Sequence, residues 1–276
     1  MARLFDWAAR PAERLVTVGS LREGKGRAAR HAQVTADTED EAAAAEAAGI
    51  EMVVCRASNV TAVRRGSPKV FVTAALGFAE AVTDDEILRT AFRALTDGAD
   101  AVITGRRLGV VSLLASEDIP VMGHLGFVPR KSTWVGRTRA VGKTADEAIA
   151  LWQRFRRLEE AGAFAVEAEI IPARLLAEFT ARSRLVTVSL GSGASGDVIF
   201  LFAADICGAG PVPRHARSWG NIAALNDAIK AERQRAFSAF RTEIETGTYP
   251  RVNETIAVPE EEWAEIVDAM EASTGN

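Results

Sequence analysis

The chain has 276 residues, and 33 basic against 37 acidic side chains leave a formal charge of −4 with 48% apolar and 25% charged residues. That is the balance of an ordinary globular protein. It argues against nucleic-acid binding by bulk charge, and two cysteines, Cys55 and Cys207, are too few for a disulfide framework or a cysteine zinc cluster. No apolar run approaches the roughly 18 residues of a membrane helix. Arg3, Asp6 and Arg10 interrupt the N-terminus where a signal-peptide core would lie, so no membrane partner and a cytoplasmic location are expected.

In chain order, the first strand is read at Ala32 to Ala36. A helix follows over Thr38 to Ala48, with Thr38 and Glu41 spaced as a capping box and Gly49 as the stop. Ile50 to Cys55 and Lys69 to Ala74 read as strands. Thr83 and Glu86 open a second boxed helix, whose Ile87, Leu88, Ala91, Ala94 and Leu95 share one face. Asp100 to Thr104 and Ile119 to Met122 are further strands, and Thr144 with Glu147 predicts a third boxed helix to Ala161. Phe164 to Ile170, Leu185 to Leu190 and Val198 to Ala203 complete eight short strands.

Near-continuous apolar strands imply burial on both faces, hence a parallel sheet. Eight strand-plus-crossover units favour an α/β fold of the closed (β/α)8 TIM barrel type, with an open doubly wound sheet as the alternative. The expected organisation is one domain over 1–276. Its barrel core spans about 30–210, and additional C-terminal helices, Asn221 to Thr246 and Glu260 to Glu271, form an extension over about 214–276.

The run Gly191-Ser192-Gly193-Ala194-Ser195-Gly196 has dinucleotide-loop spacing, but a strand-like segment follows where that motif needs a helix. It reads instead as a tight loop after strand seven, whose backbone N–H groups can face an anion.

Several segments resemble ketopantoate hydroxymethyltransferases. Gly123-His124-Leu125-Gly126-Phe127-Val128-Pro129 is similar to that family's G-H-[IL]-G-[LF]-x-P signature, as are Val141-Gly142-Lys143-Thr144, Glu169-Ile170-Ile171-Pro172 and Gly191-Ser192-Gly193, in order. The resemblance implies a (β/α)8 barrel of the phosphoenolpyruvate/pyruvate superfamily, a homo-oligomer, and hydroxymethyl transfer from methylene-tetrahydrofolate to 3-methyl-2-oxobutanoate with Mg²⁺. It implies Glu169 as catalytic base and His124 as active-site histidine. Ser58 corresponds to the serine holding the substrate carboxylate, and Ser192 and Gly193 to the loop beside it. Independently, Glu169 ends a barrel strand at the face where catalytic groups gather, and a carboxylate there can remove a proton α to a ketone.

The departures concern the metal. The family's two metal-binding aspartates fall at Ala57 and Ala75, and the Lys and Glu of K-L-E-G at Ile103 and Gly105. Mg²⁺ takes oxygen ligands, which these residues lack, so no metal site is expected. Arg56, Arg106 and Arg107 stand nearby, and guanidinium groups hold small anionic substrates bidentately, although pairing with rim carboxylates is the plainer role. Three readings remain: a divergent enzyme acting at the α-carbon of a 2-oxo acid without Mg²⁺, authentic 3-methyl-2-oxobutanoate hydroxymethyltransferase, and a non-catalytic anion-binding barrel.

Overall fold

A computed structural model describes residues 4–27 and 30–274. Eight parallel strands close into a barrel: β1 His31–Thr35, β2 Met52–Arg56, β3 Phe71–Ala75, β4 Ala101–Thr104, β5 Val121–Gly126, β6 Ala165–Glu169, β7 Val186–Leu190 and β8 Val198–Leu201, with β8 pairing back onto β1. The predicted barrel is therefore the observed one. A two-stranded antiparallel ribbon, Leu4–Phe5 with Pro11–Ala12, and helix α1 (Val18–Gly24) precede it.

The crossover helices are α2 (Glu39–Ala47), α3 (Val60–Gly66), α4 (Asp84–Thr96), α5 (Leu108–Ser116), the short α6 (Ser132–Val135), α7 (Ala145–Glu160) and α8 (Ala173–Arg182). No helix separates β7 from β8. The glycine-rich run thus forms a loop leading into a strand, as its sequence suggests. After β8 comes the short α9 (Ala203–Ile206).

Capping explains where α2, α4 and α7 start. Thr38 accepts from Glu41 N while Glu41 reaches back to Thr38 N, and Thr83 with Glu86 does the same. At α7 half of the expected box differs: Thr144 accepts from Glu147 N, but the Glu147 carboxylate accepts from the N–H groups of Gly142 and Lys143 and pairs with Arg139.

Two apolar layers account for the continuous apolar strands. Out-facing Val53, Val72, Val102, Val121 and Val166 pack in the cluster that contains helix residues such as Ala91, Leu114 and Phe155. In-facing Met52, Val54, Phe71, Ile103, Val188 and Phe200 fill the barrel. Gly123 belongs to the first layer: a Cβ there would lie 2.4 Å from Leu158 Cδ2, so only glycine lets α7 press against β5.

The chain divides into two compact units, up to Gly220 and from Asn221 onward, where the sequence suggested one domain with an extension from about 214. The second unit contains α10 (Ile222–Thr246), ended by left-handed Gly247, and α11 (Glu260–Thr274). No described helix is long and apolar enough to cross a membrane.

Candidate active site

Alternation along the barrel strands decides which side chains share the interior. By strand register, in-facing residues stack in layers contributed by alternate strands. One layer holds Gln33, Thr73, Met122 and Val188. Above it lie Val54, Ile103, Glu167 and Phe200, and above those Thr35, Ala75, His124 and Leu190. Arg56, Gly105 and Glu169 stand at the C-terminal rim.

A cavity of about 250 Å³ opens over this stack. Val54, Ile103, Glu167 and Phe200 form its floor, His124, Thr35 and Ala75 its walls, and Arg56 and Phe202 part of its rim. Its lining is largely apolar, with Asp37 and Arg56 among the rim residues and its buried ionisable groups where β5 and β6 face each other. There His124 Nε2 lies 2.9 Å from Glu169 Oε2 and 3.6 Å from Glu167 Oε1. Both carboxylates are 6% exposed, so two acids share one imidazole out of water.

The electrostatics follow from that arrangement. Burial pulls the His124 pKa down, but the hydrogen bond to Glu169 and the charges of Glu167 and Glu169 outweigh it, and the value lies above that of an ordinary histidine. Burial, aided by the Glu169 charge and opposed by His124, pushes Glu167 up.

Backbone geometry fixes Glu169. The next residue, Ile170, is β-branched yet adopts φ +49°, in the left-handed region that such residues avoid. Two backbone bonds hold it there: its N–H donates to Leu190 O, and its carbonyl accepts from Val141 N. Gly126, at φ +92°, leaves room for the Glu169 carbonyl, which a Cβ would approach to 2.2 Å.

The remaining expected site residues are dispersed. Arg56 lines the rim, is 72% exposed in its side chain, and stands 3.7 Å from Asp37. Arg106 does not line the cavity: its Nη2 donates to the carbonyls of Gly77, Phe78 and Ala81, and it stacks with Arg130 on the Phe78 ring. Arg107 pairs outward with Asp84 at 2.7 Å. Ser58 is exposed and donates to Asn59 Oδ1. Ser192 is buried, accepting from Ile171 N and donating to Ala168 O, while the Gly193 carbonyl accepts from Ser189 Oγ. Backbone groups thus occupy the Ser192 hydroxyl, and a serine side chain occupies the Gly193 carbonyl.

Glu167 was missed in the sequence, although its signal was present. A glutamate two residues before Glu169 shares that residue's face of the strand, amid apolar neighbours. His124, Glu167 and Glu169 are also the described trio whose ligand-type atoms lie within 4.8 Å of one another. The positions at which the resemblance puts Mg²⁺ do not fit it. Ala57 and Ala75 carry no side-chain oxygen, and a Cβ at Gly105 would meet Phe78 Cζ at 3.3 Å.

Residues 56–252 match the family profile described as ketopantoate hydroxymethyltransferase. The chain is 34% identical over 211 residues to 3-methyl-2-oxobutanoate hydroxymethyltransferase 2 of Bradyrhizobium diazoefficiens, covering 74% of this chain and 69% of that one. It is 30% identical over 261 residues to the 3-methyl-2-oxobutanoate hydroxymethyltransferase of Thermus thermophilus, covering 85% and 97%. Among solved structures, a proposed phosphonomutase of Burkholderia cenocepacia superposes with a TM-score of 0.51 at 13% identity, over 81% of this chain and 100% of that one, a likeness of fold.

Proposed function

Because the chain belongs to the ketopantoate hydroxymethyltransferase family, we propose that it is an enzyme acting at the α-carbon of a small 2-oxo acid, without Mg²⁺ at positions 57, 75 and 105. The observation that carries this reading is the His124–Glu169 pair, 2.9 Å apart, with His124 on the wall of a small, largely apolar cavity.

Glu169 takes the α-proton, the step that turns a 2-oxo acid into an enolate nucleophile. His124 orients the carboxylate and, when protonated, donates to the developing enolate oxygen. Burial of both groups strengthens these interactions over their worth in water. Arg56, exposed at the rim, receives the substrate carboxylate. The enolate then attacks a one-carbon electrophile, for which the family resemblance supplies methylene-tetrahydrofolate, or the sequence runs in reverse as a retro-aldol cleavage.

The test is incubation with a panel of 2-oxo acids in D₂O, with 3-methyl-2-oxobutanoate and methylene-tetrahydrofolate as one member. The expected result is deuterium at the α-carbon with wild type and a loss of about 10²–10⁴-fold in Glu169→Gln, the usual contribution of a positioned base. Absence of exchange with every 2-oxo acid would overturn the reading in favour of an anion-binding barrel. Full one-carbon transfer to 3-methyl-2-oxobutanoate would assign the family's own reaction to this chain.

A further inference from the structure

We propose that His124, Glu167 and Glu169 form a binding site for one divalent first-row transition-metal ion, with a ligand set distinct from positions 57, 75 and 105, where the family resemblance puts Mg²⁺. This goes beyond the proposed reaction, and three observations carry it.

The first is a hydrogen-bond deficit. Glu167 is 6% exposed, lines the cavity floor, and accepts no hydrogen bond among the described residues; its contact is His124 Nε2 at 3.6 Å. The side chain of Glu169, equally buried, receives a single bond, from that same nitrogen. A carboxylate offers about four lone-pair sites, and buried polar groups left this short of partners mark a bound ion or water. The imidazole cannot satisfy both acids, and none of Arg56, Arg106 and Arg107 reaches them.

The second is spacing. Two ligands held about 2.1 Å from a metal lie about 3.0 Å apart at a right angle and about 3.4 Å apart at the tetrahedral angle. The His124 nitrogen is 2.9 Å and 3.6 Å from the two carboxylate oxygens, so small side-chain adjustments place all three donors around one centre. The cavity leaves further coordination positions open toward a ligand.

The third is the pattern of sequence change. Where oxygen donors are replaced at 57, 75 and 105, Glu167 supplies one at the floor of the cavity that Ala75 and Gly105 also line. An imidazole nitrogen in the donor set favours Mn²⁺, Fe²⁺, Co²⁺ or Zn²⁺ over Mg²⁺. Bound through one oxygen, Glu169 keeps the other for the α-proton, whereas His124 Nε2, once a ligand, gives up the donor role it has in the metal-free site.

The experiment uses the full chain, stripped with EDTA, without substrate. It is dialysed against CoCl₂ or MgCl₂ separately, and bound metal is counted by mass spectrometry alongside the visible spectrum of the Co²⁺ form. The inference expects about one Co²⁺ per chain with d–d absorption, little retained Mg²⁺, and at least tenfold weaker Co²⁺ binding in Glu167→Gln. No retained Co²⁺ in wild type would overturn it, as would equal retention in Glu167→Gln and His124→Asn. Should both variants fail to fold, histidine modification by diethylpyrocarbonate decides. Protection of His124 by Co²⁺ in wild type supports the site, and its absence removes it. Metal binding is read without substrate, so retained Co²⁺ without α-proton exchange defeats only the proposed function. Exchange in protein that retains no Co²⁺ defeats only this inference.

Discussion

Ser192 Oγ accepts a hydrogen bond from the N–H of Ile171 at 2.8 Å and donates to the carbonyl of Ala168 at the same distance. Those two backbone groups flank Glu169 and left-handed Ile170, so this serine ties the loop after β7 to the turn that aims the proposed base. Ser192→Ala leaves a buried N–H without that partner, at a cost of about 1–3 kcal/mol. The expected outcome is a fall in kcat with KM nearly unchanged, accompanied by a lower urea midpoint. A rise in KM alone would return Ser192 to a substrate-holding role.

Arg56 and Arg106 separate by the same logic. Arg56 makes one long, exposed pair with Asp37, worth about 0–1 kcal/mol, whereas Arg106 gathers three loop carbonyls. Arg56→Ala is expected to raise KM for a 2-oxo acid about tenfold with an unchanged melting temperature. Arg106→Ala is expected to lower the melting temperature and expose the Gly77–Ala81 segment to protease. Steady-state kinetics, thermal melts and limited proteolysis check the pair, and the opposite pattern would exchange the two roles.

Asp197, at the entry to β8, takes hydrogen bonds from Thr187 N, Thr187 Oγ1 and Gly26 N and pairs with Lys25. Burial alone would raise its pKa, but these donors outweigh it and hold the value below the ordinary 3.8. A carboxylate with a depressed folded pKa contributes stability that is complete above its unfolded pKa and is lost as pH falls through the folded one. Asp197→Asn is therefore expected to cost about 1–3 kcal/mol at pH 7, with the gap from wild type closing in acid below 3.8. Urea titrations at both pH values decide; a gap independent of pH would show that the Asp197 charge contributes nothing.

Gly123→Ala tests the contact between β5 and α7. The added methyl meets both Leu158 methyl carbons, at 2.4 and 2.5 Å, and overpacking of this kind costs about 1–3 kcal/mol. Gly123→Ala with Leu158→Ala is expected to recover part of the loss, which a double-mutant cycle of unfolding free energies measures.

The barrel was legible because its strands are apolar on both faces and helices α2, α4 and α7 open on capping threonines, features that depend only on neighbours in sequence. Glu169 and His124 were legible because the motif places them at strand ends. Arg106 and Ser192 were not, since what they hold, the carbonyls of Gly77 to Ala81 and the backbone beside Glu169, are brought to them by turns far away in sequence. Glu167 was legible only in part: alternation puts it on the strand face of Glu169, but in a strand buried on both sides the register is needed to show that this face turns inward toward His124.

Beneath the cavity floor, the Gln33 side-chain amide and Thr73 Oγ1 are buried without a hydrogen-bond partner among the described residues. Replacing an unsatisfied buried hydroxyl by a methyl of similar shape removes a desolvation cost of about 1–3 kcal/mol. Thr73→Val should therefore make the protein harder to melt, and a lower melting temperature would mean that the hydroxyl is satisfied in solution. The region under the floor thus offers this barrel room for stabilisation by design, well away from its surface residues.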